Sequence, residues 1–210
     1  MLFRKLLMLA ALAVATPALA EQRTSVIALP TDVVGANHVV STEVVVSDEA
    51  LVKFEAHEKK AAEKRVERKL AAYDPAAGRP AQDEYATLPF AAMFPLVMED
   101  VTREWGLTSG RPVKLKVRIS SFKTADAAMA ILLAPSADKM TGLVSVLDAA
   151  DGDKEIGAFL IDVENRHSGW GGMLIRGGGI RQRLAEEFAL ETSRMLTGRK
   201  KKGKVKTAAN

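Results

Sequence analysis

Three histidines are the side chains in this sequence best suited to metal binding or acid–base catalysis. They are His38, His57 and His167, and they lie far apart in the chain. A helical zinc site of the H-E-x-x-H type needs a second histidine four residues after the first, whereas Ala61 occupies that position after His57. The chain contains no cysteine, which excludes thiol chemistry. The sequence therefore predicts no metal site, no cofactor and no catalytic residue.

Carboxylates offer a second kind of chemistry. Three aspartates lie close together in the sequence, namely Asp148, Asp151 and Asp153. We interpret them as turn-forming residues, because a calcium loop needs more oxygen ligands and a distal glutamate. An enzyme, such as a hydrolase using Asp148 or Asp162 with His167, stays open as an alternative. It requires these side chains to converge in one pocket.

A glycine-rich segment precedes the last predicted helix and contains Trp170, Arg176 and the glycines 177–179. Glycines before a helix can present backbone N–H groups to an anion. The segment matches neither the Walker motif nor the dinucleotide-binding fingerprint. A structural loop is the simplest interpretation. The functional alternatives are a phosphate site or a partner contact in which Trp170 is the anchor and Arg176 and Arg181 add charge.

The first twenty residues have the pattern of a cleavable export signal. Arg4 and Lys5 are followed by ten uninterrupted apolar residues at 6–15, fewer than the roughly 20 that a membrane-spanning helix needs. Small residues at 18 and 20 indicate cleavage after Ala20. Without a cysteine to acylate, we expect a free periplasmic protein, with secretion as the alternative. The predicted domain spans 21–198.

Positive charge is concentrated at the C-terminus. The chain has 30 basic and 26 acidic residues, but two bases lie in the export signal and six lie in residues 199–210, so the predicted domain is mildly acidic. That balance argues against nucleic acid as a partner. We expect 199–210 to be a disordered tail that either adds solubility or makes weak contact with anionic lipid. Its bases are Arg199, Lys200, Lys201, Lys202, Lys204 and Lys206.

Hydrophobic periodicity predicts a strand pair and two helices in the N-terminal part, 24–106. Strand character covers 24–30 and 38–47, separated by a glycine at 35. Asp48 is the predicted cap of a long, densely charged helix over 48–73, and a second helix is expected over 90–105 with Pro95 inside it. The first helix is either a solvated helix with a narrow buried stripe or a projecting partner-binding helix. Its predicted inward residues are Leu51, Phe54, Ala62, Val66, Leu70 and Tyr73.

The remaining unit, 112–197, has a clearer pattern. Alternation over 112–124 predicts a half-buried strand, residues 139–165 form an antiparallel hairpin, and 180–196 is an amphipathic helix. Antiparallel strands with helices able to cover one face indicate an α+β fold. We therefore predict an antiparallel sheet on which helices 48–73, 90–105 and 180–196 pack. The inward strand residues are Val113, Leu115, Val117 and Ile119, and the outward ones are Lys114, Lys116 and Arg118.

The layout from Val113 to Leu196 resembles small bacterial envelope domains of unknown function. The matching residues are the apolar strand from Leu143 to Ala149, Gly152 in the turn, the strand from Ile156 to Phe159, and the helix from Leu184 to Leu196. The same layout is similar to the periplasmic domain of the curli-secretion lipoprotein family, although this chain lacks the acylated cysteine. The resemblance implies an envelope location and assembly with partners, and it supplies no catalytic residues.

Three functional hypotheses follow from the sequence. The leading one is a non-enzymatic periplasmic accessory protein that binds an envelope protein or a cell-wall component. The second is the hydrolase described above, and the third is a peripheral membrane protein that uses the basic tail. The sequence does not set the oligomeric state.

Overall fold

The computed structural model describes residues 23–124, 137–166 and 179–201. In these ranges five strands form one mixed sheet, and three α-helices and two short 3₁₀ helices complete the domain. The predicted α+β class is confirmed. In chain order the elements are β1 Arg23–Ile27, β2 Asn37–Val46, α1 Asp48–Glu67, the 3₁₀ helices Pro75–Ala77 and Gln82–Thr87, α2 Phe90–Glu104, β3 Arg111–Lys123, β4 Ala137–Asp148, β5 Lys154–Arg166 and α3 Ile180–Thr197.

The order of strands in the sheet is β1-β5-β4-β3-β2. β2 runs parallel to β3, and the other neighbours are antiparallel. The predicted pairing of the two N-terminal strands is therefore wrong, since β1 and β2 lie at opposite edges. The segment between them is fixed in the domain by the buried Leu29 and Val33, and the Gly35 N–H donates to the Leu196 carbonyl at 2.8 Å. Helices α1 and α2 supply the crossover that parallel strands require.

Helix α1 is shorter than predicted and has a different cap. The Ser47 hydroxyl accepts a hydrogen bond from the Ala50 N–H at 3.4 Å, so Asp48 is the first helical residue rather than the cap. The helix ends at Glu67, and Lys69 adopts a left-handed conformation with φ of 56°. The predicted helix over 48–73 therefore extends too far, because the apolar spacing continues into a segment where the backbone has already turned.

The buried stripe of α1 is also rotated relative to the prediction. Leu51 and Val66, expected inward, are 48% and 76% exposed. Two charged residues, Glu58 and Arg65, lie instead on the inward side and form ion pairs with other elements. Apolar periodicity missed this rotation because polar side chains occupy part of the buried stripe. The buried residues of α1 are Ala50, Phe54 and Ala61.

The three described α-helices lie on one face of the sheet, where the hydrophobic core forms. The ring of Phe54 in α1 stacks on Phe122 of β3 with centroids 4.0 Å apart, and Phe94 of α2 meets Phe188 of α3 at 5.6 Å. Gly142 in β4 leaves room for Phe188, since an added Cβ would lie 3.1 Å from its ring and 2.9 Å from a backbone oxygen. The predicted inward residues of β3 are buried, namely Val113, Leu115, Val117 and Ile119.

The observed α2 and α3 begin at the first residues of the predicted helices 90–105 and 180–196 and end within one residue of them. Pro95 lies inside α2 without ending it. Strands β4 and β5 run antiparallel across the turn that contains the aspartates. None of the described helices combines the length and the apolar character needed to cross a membrane.

Candidate functional site

The glycine-rich segment and most of the tail lie outside the described residues. Trp170 and Arg176, predicted to contact a partner, belong to this group, as does His167. Their assignments stay predictions. The tail residues that also lie outside the described ranges are Lys202, Lys204 and Lys206.

Arg181, the third predicted partner contact, is only 4% exposed. Its Nη1 forms an ion pair with Glu58, and its Nη2 donates to the Leu88 carbonyl at 2.9 Å. The same Glu58 oxygen accepts from the Phe90 N–H at 3.0 Å, at the start of α2. Burial lowers the pKa of the Arg181 guanidinium, and Glu58 acts in the opposite direction. This guanidinium ties α1, α2 and α3 together, and its role in binding a partner stays a prediction.

The described start of the tail lies beside a groove between α2 and α3. Arg199, Lys200 and Lys201 are exposed, and the Arg199 N–H donates to the Thr197 hydroxyl at 3.3 Å. Lys200 and Lys201 line a cavity of about 400 Å³ whose apolar wall contains Trp105. The arrangement is compatible with a solvated tail and with a lipid contact, so both interpretations from the sequence stay open.

The two carboxylates proposed for a hydrolase do not share a site. Asp148 faces the helices and accepts from the Arg111 Nε at 2.9 Å, whereas Asp162 lies on the opposite face and accepts from the Thr141 hydroxyl at 3.1 Å. Thr141 and Asp162 are register partners, so the two carboxylates are separated by seven residues of β4, or about 23 Å at ~3.3 Å per residue. The described residues also contain no group of three His, Asp or Glu side chains suited to a metal ion.

The sheet face opposite the helices, here called the open face, is covered by no described helix. One row of side chains crosses all five strands in register. Three of its members are aliphatic, and Leu160 and Val45 are 42% and 40% exposed. The row therefore places a guanidinium on β3 among aliphatic side chains from the neighbouring strands. From one edge to the other it reads Thr24, Leu160, Leu143, Arg118 and Val45.

Charged side chains at the margin of the open face form ion pairs, whereas those at its centre do not form ion pairs with described residues. Lys114 pairs with Asp153 at 2.8 Å, and Lys139 pairs with Glu164 at 2.7 Å. By contrast, Lys116 and Arg118 in the middle of β3 are exposed and form no ion pair with any described residue. Arg118 has the aliphatic register partners Val45 and Leu143, whereas those of Lys116 are Glu43 and Ser145. The centre of the open face thus carries one guanidinium among aliphatic side chains.

Sequence reasoning placed Lys116 and Arg118 on the outward side of a half-buried strand, and the structure agrees. It did not find their convergence with Leu160 and Val45. These come from strands that are distant in sequence, and their neighbourhood depends on sheet order and register. Alternation within one strand identifies the face of each side chain but not its neighbours from other strands.

Comparison with known proteins gives distant likenesses only. No family model matches the chain, and no curated protein matches it. A chain of the PelC dodecamer from Paraburkholderia phytofirmans is similar with a TM-score of 0.42 and 8% identity, over 84% of this chain and 96% of that one. A Caulobacter crescentus protein provisionally described as a lipoprotein has a TM-score of 0.33 and 14% identity, over 57% and 84% of the two chains. Likenesses at this distance assign neither a family nor a function.

Proposed function

We propose that the protein is a non-enzymatic accessory protein of the cell envelope that binds another envelope protein through its open face. In this proposal residues 1–20 direct export and are removed, 21–198 form one domain, and 199–210 form a basic tail. The observation that carries the proposal is the exposed Arg118, which forms no ion pair with a described residue and lies in register between the aliphatic side chains of Val45 and Leu143.

The geometry of the open face indicates the chemistry of the partner. Arg118 lies between Leu143 and Val45 in the cross-strand row, so a contacting surface meets aliphatic groups on both sides of a guanidinium. A carboxylate placed over Arg118 can accept two hydrogen bonds from it. The partner surface that fits carries acidic side chains among aliphatic ones. Complementary charge of this kind increases the rate of association and fixes the register of an interface.

The helix-covered face does not offer an equivalent surface among the described residues. Its large apolar side chains are packed in the core, and Arg181 is engaged by Glu58 and backbone carbonyls. Val66 in α1 is exposed among charged neighbours in the sequence. Scattered exposed apolar side chains are normal on protein surfaces, whereas a contiguous exposed apolar patch marks an interaction site.

The test compares two double variants that remove the same charge. Lys116→Gln with Arg118→Gln neutralises the open face, and Lys53→Gln with Lys59→Gln neutralises exposed positions on α1. Tagged protein is recovered from envelope extract at low and high salt, and the bound proteins are quantified by mass spectrometry. We expect the open-face variant to lose a specific partner by about tenfold or more, since charge pairs in an interface contribute affinity, and the α1 variant to retain it.

Two outcomes would contradict the proposal. One is equal recovery of the partner by both variants, and the other is a partner whose contacting surface, mapped by cross-linking, lacks acidic residues. Both variants alter exposed side chains, so their melting temperatures should match that of the wild type, which separates loss of binding from loss of folding.

A further inference from the structure

A basic cavity lies on the helix-covered side of the sheet, where the edge strand β1 meets the C-terminal end of α3. Its volume is about 310 Å³, and the connection 28–34 borders its third side. Within the described ranges, the charged side chains that line it are all basic and come from β1 and from the end of α3. They are Arg23, Arg194, Arg199 and Lys200. Four cations that line one cavity are suited to an anionic ligand.

One carboxylate balances only part of this charge. Glu191 is fully buried and binds Arg23 through one oxygen and Arg194 through the other. Each guanidinium uses one Nη for this contact, and the two side chains remain 28% and 27% exposed. The acidic residue of the neighbouring connection, Asp32, pairs with Arg111 instead. The two guanidiniums therefore share a single negative charge and keep further N–H donors.

The end of α3 adds two more cations to the cavity. Gly198 ends the helix in the left-handed region with φ of 67°, and an added Cβ there would lie 3.0 Å from the Val34 side chain. The chain turns at this glycine, and Arg199 and Lys200 line the cavity. Both are exposed and form no ion pair with any described residue. A helix C-terminus carries about half a negative charge, which together with one carboxylate does not offset four cations.

The cavity also has an apolar wall. Leu29 and Phe159 are buried parts of this wall, whereas Val34 is 37% exposed. An aliphatic group placed against these side chains would be removed from water, which is favourable. The volume is at the lower end of the range for small-molecule sites. The cavity therefore has room for a head group and a few methylenes rather than for a whole lipid.

We propose that this cavity binds the phosphate head of a lipid together with the first methylenes of its chain. Phosphate has more acceptor oxygens than a carboxylate and accepts paired hydrogen bonds from arginine. It therefore matches guanidiniums that come from two separate elements, with the apolar wall beside them. The site is separate from the open face, so it does not depend on the partner proposed above.

The test follows the methyl resonance of Met195, which lines the cavity, by NMR, with a Met195→Leu variant to assign it. The probes are hexyl phosphate, inorganic phosphate, which lacks the chain, and hexanoate, which replaces the phosphate by a carboxylate. We expect hexyl phosphate to shift this resonance saturably. It should bind about tenfold more tightly than inorganic phosphate, since two buried methylenes account for that factor, and more tightly than hexanoate.

Two matched double variants separate the cavity from general charge. Arg199→Gln with Lys200→Gln removes two unpaired cations and leaves Glu191 with both of its partners. Lys53→Gln with Lys59→Gln removes the same charge from exposed positions of α1. We expect the first variant to weaken the binding of hexyl phosphate by about tenfold and the second to change it by less than about twofold.

A third variant, Val34→Asn, tests the apolar wall and should weaken hexyl phosphate about threefold without changing the affinity for inorganic phosphate. The proposal is overturned if hexyl phosphate leaves the Met195 resonance unchanged, or if inorganic phosphate or hexanoate binds as tightly. It is also overturned if both double variants weaken binding equally, or if Val34→Asn does not distinguish the two phosphates. Lys116→Gln with Arg118→Gln should bind hexyl phosphate normally, so failure here is distinguishable from failure of the partner proposal.

Discussion

The helix-covered face and the open face of the sheet hold charged side chains in different ways. On the covered side Glu191 is fully buried and bound by both Arg23 and Arg194, and Arg181 is bound by Glu58. On the open face Arg118, at the centre of β3, forms no ion pair with a described residue and has aliphatic register partners on both sides. The charges of Glu191 and Arg181 are therefore paired within the fold, whereas the Arg118 guanidinium on the open face is available to another molecule. Removing the first kind should reduce stability, and removing the second should reduce binding.

Truncating one large apolar side chain on each face should give the largest difference in the free energy of unfolding between two variants. Phe188 is fully buried and Leu160 is 42% exposed. We expect Phe188→Ala to lower the free energy of unfolding by about 3–5 kcal/mol because it leaves a cavity in the core. Leu160→Ala should cost less than about 1 kcal/mol, since it removes no fully buried side chain. Urea denaturation measures both, and similar losses would mean that the open face is covered in the native protein.

Removal of the carboxylate that pairs with the buried Arg181 guanidinium should have the next largest effect. Glu58→Ala leaves the Arg181 guanidinium without its carboxylate and the start of α2 without an acceptor. We expect a loss of about 2 kcal/mol, less than for a fully buried ion pair because the Glu58 side chain is 34% exposed while Arg181 is buried. Glu55→Ala, at an exposed position of the same helix, should change stability by less than about 0.5 kcal/mol. Equal effects of the two substitutions would show that the Arg181 pair does not stabilise the helical layer.

A smaller effect should depend on pH. Hydrogen bonding from Arg111 holds the pKa of the Asp148 carboxyl below its ordinary value. A depressed folded-state pKa stabilises the protein above the unfolded-state pKa of about 3.9, and this contribution is lost as the pH falls through the folded-state value. We therefore expect Asp148→Asn to be less stable than the wild type at neutral pH, with the difference shrinking in acid. A difference that is constant with pH would contradict this assignment.

The tail should contribute least to stability. Deletion of 199–210 removes the hydrogen bond from the Arg199 N–H to Thr197 and little other described contact. We expect the free energy of unfolding to change by less than about 0.5 kcal/mol. The same deletion tests the membrane hypothesis. If the tail binds anionic lipid, vesicle binding should weaken with salt and disappear on deletion, and binding that survives deletion would exclude the tail as the lipid contact.

Local pattern predicted the elements of this domain better than their arrangement. The alternation in β3 identified Val113 to Ile119 correctly because side chains in a strand alternate strictly between faces. The N-terminal strand pair was predicted wrongly because a glycine between two β-branched runs looks the same in a hairpin and in a longer connection across the domain. The rotation of α1 was missed because Glu58 and Arg65 face inward to form ion pairs with residues that lie elsewhere in the chain.

For the candidate site, too, the sequence predicted local features but not how they are arranged in space. The charged side chains of β3 were placed on the correct side of the strand, but their convergence with Leu160 and Val45 depends on a five-strand order that no local pattern contains. Arg181 was predicted to contact a partner because it follows a glycine-rich segment, and that role stays a prediction; its ion pair with Glu58 and its bond to the Leu88 carbonyl had no signal in the sequence. A pairing partner such as Glu58, 123 residues away in sequence, cannot be inferred from spacing.

Site-specific photo-cross-linking tests the central claim most directly. A photoreactive residue is placed at Leu160 on the open face or at Val66, which is 76% exposed on α1, and the protein is irradiated in intact cells. We predict one recurrent protein adduct from position 160, attached near acidic residues of the partner and lost when Lys116 and Arg118 are changed to glutamine, with no such adduct from position 66. The same adduct from position 66, or no adduct from position 160, would contradict the assignment of the open face as the partner-binding surface.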